Sequence, residues 1–192
     1  MSVITDMADR NDEAAASLSP GARKFVVHWG ELGTRWGINR TVAQVHALLF
    51  VSQRPLDVQA ITDALGVARS NASTSVRELL AWGLVRPVHI LGDRREHYEA
   101  IGDVWQILTI IAEQRKRREI DPTLAILREC EAEMRSASTP NERFVANRVR
   151  AMLELFETLS PLVDEFAALP AATIRALSGL RGKVRNVFKV RR

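Results

Sequence analysis

Ser70, Asn71, Ser73, Thr74 and Arg77 stand close together in the stretch ALGVARSNASTSVRELLAWGLV, residues 64–85. At helical spacing Ala72, Val76, Leu79, Leu80 and Gly83 fall on the opposite face, which predicts a helix with an apolar back and a polar front. The front offers short hydroxyl and carboxamide groups plus one fixed guanidinium charge. That set suits the base edges and phosphates of a duplex nucleic acid. A surface helix with a serine-rich solvated face fits the same residues, so the neighbouring elements have to decide.

The second group is Asp93, Arg94 and Arg95, which follow Gly92 between two short extended runs, LVRPVHIL and EHYEA. The pattern reads as a β-hairpin with arginines at its tip. Tip arginines suit the minor groove, whose narrow walls concentrate negative potential, and Asp93 is placed to hold the Arg95 guanidinium. A polar turn with surface arginines fits the local residues equally well.

Elements that would position these groups precede them. Phe25, Trp29, Leu32 and Trp36 recur at helical spacing in a first helix, where Gly30, Gly33 and Gly37 would let another backbone come close. We place Thr41 as the cap of the next helix, with Val42, Val45, Leu48, Leu49 and Phe50 inward and Pro55 as its stop. A short helix, LDVQAITDALG, turns Val58, Ile61 and Leu65 inward. Gly66 closes that helix, Ser70 is the expected N-cap of the next, and Gly83 is its left-handed stop. Two short helices joined by a glycine-containing turn are the helix-turn-helix signature, and the attached hairpin makes it winged.

After Asp103 the pattern is helical. Val104, Ile107, Leu108, Ile111 and Ala112 form one apolar stripe as far as Asp121-Pro122, which interrupts or restarts the helix. Leu124, Leu127 and either Cys130 or Met134 continue it. Pro140 opens a long helix with Phe144, Val145, Val149, Met152, Leu153, Phe156 and Leu159 expected inward. Such helices, with no sheet to cover, imply packing between two copies. The reading is therefore a mainly α chain with a small β wing. Its parts are a mobile acidic arm at 1–18, a winged helix-turn-helix with leading helix at 19–101, a helical dimerisation region at 102–169 and a basic amphipathic tail at 170–192.

The totals agree with that division. A chain of 192 residues, 46% hydrophobic and 26% charged, can bury a good core. Its net charge of +4 is unevenly spread: residues 179–192 hold basic groups and no acid, and Arg115, Lys116, Arg117 and Arg118 form a second run. A polyanionic partner accounts for this. The tail has three competing uses: docking on the helical region, gripping DNA, or lying on an anionic membrane. No apolar run is long enough for stable membrane insertion, and the acidic N-terminus lacks the regions of a signal peptide, so the expected location is cytoplasmic. Cys130 is the single cysteine, which excludes an intrachain disulfide and a multi-cysteine zinc site. His28, His46, His89 and His97 are scattered and form no paired motif, and no phosphate-binding glycine loop or nucleophile elbow is present. We expect no enzyme activity, no cofactor and no metal.

Taken together, LDVQAITDALGVARSNASTSVRELLAWGLVRPVHILGDRREHYEA and DVWQILTIIAEQRKRREIDPTL resemble the GbsR-type branch of the MarR family of winged-helix regulators. The resemblance runs from about Phe25 to Leu127. It is carried by Ser-Asn-x-Ser (Ser70, Asn71, Ser73), Trp-Gly-Leu-Val (Trp82 to Val85), the Gly-Asp-Arg tip and Arg-Glu-Ile-Asp-Pro (Arg118 to Pro122). It implies a homodimer that represses transcription at an operator in double-stranded DNA and releases it when a small-molecule effector binds. Ser70, Asn71, Ser73, Thr74 and Arg77 would meet the major groove, and Arg94 and Arg95 the minor groove, with Asp93 and Arg95 matching the Asp-x-Arg wing motif. Relatives in that branch regulate glycine-betaine or choline metabolism. Phe25, Trp29, Trp36, Tyr98 and Trp105 could offer aromatic faces to a quaternary ammonium, although core packing explains them as well. The basic tail departs from the family pattern and inherits no role. An architectural DNA-binding or protein-interaction role on the same scaffold is the alternative.

Overall fold

The computed structural model describes residues 18–179, so the acidic arm apart from Leu18, and the basic tail beyond Gly179, lie outside the described residues. The chain divides into two compact units between Gly102 and Asp103.

The first unit begins with helix α1 (Pro20–Arg35), whose first turn is capped by Ser19, the Ala22 amide donating to its Oγ at 3.2 Å. Proline at the first helical position supplies a fitting φ and has no amide to leave unsatisfied. Helix α2 (Arg40–Val51) packs against α1. The face of α1 that is buried is Val26, Gly30 and Gly33, whereas Phe25, Trp29 and Leu32 are half-buried and Trp36 is exposed. This corrects the expected aromatic stripe. A Cβ on Gly33 would sit 2.5 Å from the Ala43 Cβ, and one on Gly30 would sit 2.5 Å from the Gln44 side chain. Close backbone approach along the glycine face wins over burial of the bulkier face. Gly37 serves differently, taking φ +74 in the turn to α2. The α2 cap is also corrected: Asn39 Oδ1 accepts the Thr41 amide at 2.8 Å, so Thr41 lies inside the helix.

Strand β1 (Leu56–Asp57) leads into α3 (Val58–Leu65), and α4 (Arg69–Trp82) follows. Gly66 and Gly83 end these helices in the left-handed region, at φ 63 and φ 75, where an L side chain is strained. Strands β2 (Val85–Val88) and β3 (His97–Ala100) form the hairpin, shorter than the extended runs expected. The antiparallel sheet has the order β1-β3-β2, with Leu56 opposite Tyr98, Asp57 opposite His97, and Val85 opposite Ala100. Sequence reasoning had placed β1 inside the α3 helix. Pro87, which has no amide to donate, lies on β2, which among the described residues is an edge strand paired with β3. The largest fully buried side chains of the core are Leu48, Ile61, Leu79, Val45 and Val76.

The second unit is helical. Asp103 caps α5 (Val104–Arg115), accepting the Trp105 amide at 2.9 Å. A π-helical segment, Lys116–Ile120, joins it to α6 (Asp121–Glu133). Pro122 has no amide for the preceding turn, and the Asp121 amide bonds five residues back, to the Lys116 carbonyl. Lys116 pins the wide turn by pairing with Asp121 at 3.0 Å and Asp164 at 3.2 Å. After a single 3-10 turn comes α7 (Pro140–Ala168), opened by a capping box in which Thr139 and Glu142 bond each other's backbone. The short α8 (Ala171–Gly179) buries Ile174 and sends Arg175 to Asp103 at 3.4 Å, so this part of the tail docks on the helical unit.

The faces of the long helices differ from expectation. On α5, Ile107 and Thr109 are buried, while Val104 and Leu108 are exposed and Ile111 and Ala112 are half-buried. On α7 the inward residues are Ala146, Leu153 and Ser160, with Val149 and Phe156 half-buried beside them. Phe144, Val145, Met152 and Leu159, expected inward, are exposed. The helix carries two apolar stripes, and among the described residues one is covered and the other exposed. Among the described residues no helix is long and apolar enough to cross a membrane.

Candidate nucleic-acid interface

Helix α4 presents the predicted polar face. Ser70, Asn71, Thr74 and Arg77 are exposed and Ser73 is half-buried, while Ala72, Ser75, Val76 and Leu79 are buried behind them. Leu80 is half-buried and Gly83 exposed, so the apolar back is narrower than expected, and Ser75 belongs to it. Arg77 Nη2 donates to Thr74 Oγ1 at 3.1 Å, which steadies the guanidinium along the helix surface.

The start of α4 requires a correction. Its N-cap is Ala68, with no side-chain cap, and Ser70 lies within the first turn. With Gly66 turned left-handed, the chain needs only Val67 and Ala68 before helical geometry begins at Arg69. No side chain caps the first amides, and they carry the positive end of the helix dipole. Arg69 is anchored across the turn, donating to Gln59 Oε1 of α3 at 2.7 Å, and Gln59 in turn donates to Asp63 at 3.0 Å. This brace between the two helices was not anticipated.

The hairpin is fixed to the helix pair by a cluster of charges. Asp93 accepts from the Arg95 amide at 2.9 Å and from its guanidinium at 2.8 to 3.1 Å. The other side of that guanidinium reaches Asp57 Oδ2 at 2.8 Å. Asp57 is buried and also caps α3, its Oδ1 accepting the Ala60 amide at 2.7 Å. His97, buried at the hairpin base, places Nδ1 3.1 Å from the Arg95 carbonyl and Nε2 3.6 Å from Asp93. Hydrogen bonding from the Arg95 side chain, followed by its amide, holds the Asp93 carboxyl down to about 2. Tyr98 donates its hydroxyl to Glu96 at 2.7 Å, and burial, reinforced by that carboxylate, pushes the phenol up to about 12.

Arg94 and Arg95 therefore differ in kind. Arg95 is held between two carboxylates, while Arg94 is exposed and has no bonding partner among the described residues. Asp57 was missed in the sequence. Its capping role was readable from an aspartate just before a helix, but its pairing with a residue far along the chain was not.

The aromatic residues considered for an effector belong to several elements. Phe25 and Trp29 are in ring contact at 5.3 Å, and Phe50 extends the row, 6.4 Å from Phe25 and from His46. Trp36 lies at the end of α1, Tyr98 in β3, and Trp105 in the second unit. Among the described residues no three His, Cys, Asp or Glu side chains gather as a metal-binding group.

A sequence model described as the MarR family matches residues 30–96, which contain α2 to α4, most of the hairpin and the end of α1. A protein of Bacillus subtilis (strain 168), YvaV, named as an HTH-type transcriptional regulator, is 26% identical over 82 residues. The match covers 43% of this chain, which spans about half the length of that relative, 46%. A crystal structure of a transcriptional regulator superposes with a TM-score of 0.59 at 17% identity, covering 77% of this chain and 96% of that one. At that identity the likeness speaks for the fold. The family match takes in the helix pair, β1 and β2 and stops just before β3, which completes the antiparallel sheet, and the fold is a winged helix similar over these residues to that of the MarR family.

Proposed function

We propose that this chain is a sequence-specific, double-stranded DNA-binding transcriptional regulator that acts as a homodimer on a pseudo-palindromic operator. The observation that carries the reading is the exposed polar face of α4 beside a hairpin locked to the same helix pair through Asp57, Arg95 and Asp93. Such a unit presents a helix to the major groove and a wing to the adjacent minor groove with little left to order on binding. Ser70, Asn71, Ser73, Thr74 and Arg77 read base edges or hold phosphates. Arg94 enters the minor groove, and Arg95 and Asp93 set the pose of the wing.

The homodimer rests on the uncovered stripe of α7. Met152, Leu155, Leu159 and Leu162 are exposed at spacings of three and four, the seam of a helix that packs against a partner helix. Two recognition helices would then stand roughly 34 Å apart, one duplex turn. Repression, release by a small-molecule effector, membership of the GbsR-type branch and action in the cytoplasm follow from the resemblance and belong to the same proposal.

The test is binding of the full-length protein to a randomised duplex pool at near-physiological salt, with sequencing of what is retained. An enriched inverted repeat is the expected result. Retention without enrichment would assign the chain an architectural role, and no retention would overturn the DNA-binding reading.

A further inference from the structure

The tip of the hairpin carries a feature that the contacts described above do not use. Leu91 has a relative exposure of 104%, so among the described residues its side chain is covered by nothing. It stands at the corner of a tight turn closed by the Asp93 amide on the Ile90 carbonyl at 3.1 Å, with Gly92 beside it at φ +87. The turn is tied back to the body of the unit. Asp93 is bonded to Arg95, and Arg95 to Asp57 at the start of α3. With Asp93 and Asp57 turned to Arg95, and Glu96 accepting from Tyr98, the exposed side chains of the corner include an apolar one, Leu91, and a cation without a partner among the described residues, Arg94.

An apolar residue beside a cation on a rigid tip is the chemistry of a minor-groove wedge. The cation is drawn into the negative potential of the groove, and the apolar side chain enters between two base pairs, where it leaves water and unstacks the step. We propose that Leu91 is such a wedge, inserting into a base step at the edge of the operator and kinking the duplex. This rests on the DNA-binding reading and adds to it a deformation of the DNA. Flexible pyrimidine-purine steps unstack most cheaply, so the wedge would also confer sequence preference at a position where no hydrogen bond is made.

The experiment uses the full-length protein and duplexes enriched from the randomised pool, labelled at both ends with a fluorescent donor and acceptor. Binding of the wild type is expected to shorten the end-to-end distance, reporting a kink on the order of 20° or more. Leu91→Ser should weaken binding about tenfold and return the distance towards that of free DNA, while Leu91→Met retains both. Because no described residue covers Leu91, the variant's thermal midpoint should not move, which separates loss of the wedge from loss of the fold. A Leu91→Ser variant that binds and bends as the wild type does, or a wild type that leaves the duplex straight, overturns the wedge alone. Failure of the wild type to retain any duplex overturns the DNA-binding reading itself.

Discussion

Single residues in the first unit do two jobs at once, and Asp57 is the clearest example. One of its oxygens caps α3 and the other anchors Arg95. Asp57→Asn separates the two, since asparagine is an equally good N-cap but carries no charge for the guanidinium. We expect thermal stability to fall by only about 1 kcal/mol, because Arg95 keeps Asp93, while DNA affinity falls further as the wing loses its pose. Equal losses in melting and binding assays would show that the pair serves stability alone. His46 poses a different problem. It is buried in α2, its Nε2 has no hydrogen-bond partner among the described residues, and desolvation pushes its pKa down to about 4 from 6.5. The neutral ring is favoured in the folded state, so its stability is fully present above pH 6.5. It is lost as pH falls towards 4, by roughly 3 kcal/mol over that window. His46→Leu should remove this part of the acid sensitivity, read as a difference between the two proteins' urea midpoints that widens from pH 6.5 to pH 4. A constant difference would contradict it.

At the scale of elements, the contact between α1 and α2 is made by glycines, and it predicts an asymmetry between two similar substitutions. Gly33→Ala gains helix propensity of about 1 kcal/mol, but its methyl would lie 2.5 Å from the Ala43 Cβ, an atom fixed to the facing backbone. The helices would have to part, at a cost of roughly 1 to 3 kcal/mol, so a net loss is expected. At Gly30 the obstacle is the Gln44 side chain, which can rotate away, and Gly30→Ala should be near neutral in denaturant melts. The same contact shows where sequence reading succeeds and fails. The glycines were recognised as a place of close approach, yet the apolar stripe was read along Phe25, Trp29, Leu32 and Trp36, because apolar periodicity weights large side chains and ignores backbone proximity. Helix α4 was legible because its polar and apolar residues separate cleanly and Gly83 marks its end. Its start was not, since Ser70 is the better capping residue by type while Ala68 is the cap. What decides there is Gly66 ending α3 three residues before Arg69, a geometric constraint rather than a residue preference. The polar face and the Asp93 to Arg95 contact were foreseen. Asp57, and the brace from Arg69 to Gln59, depend on tertiary contacts that spacing does not encode.

For the whole molecule the decisive surface is the outer stripe of α7. Sequence periodicity merged its two apolar stripes into one, because a helix that is apolar on both sides gives no sign of which side its own chain covers. The structure separates them: Ala146, Leu153 and Ser160 are turned inward, and Met152, Leu155, Leu159 and Leu162 remain exposed. If a second copy covers that stripe, a charge placed in its middle appears twice in a symmetric contact and is desolvated on both sides. Leu155→Glu should therefore yield a monomer by light scattering at concentrations where the wild type is a dimer. Its helical content and melting of the winged helix should be retained, because Leu155 is half exposed and makes no part of the buried core. The consequence for DNA follows from linkage of two heads. A dimer binds its second half-site as an intramolecular event, so separating the heads should weaken binding to an inverted repeat on the order of 10² to 10⁴-fold while leaving binding to a single half-site nearly unchanged. A Leu155→Glu protein that stays dimeric would move the interface to another surface. A wild type that is monomeric yet binds the inverted repeat as tightly would remove the dimer from the mechanism.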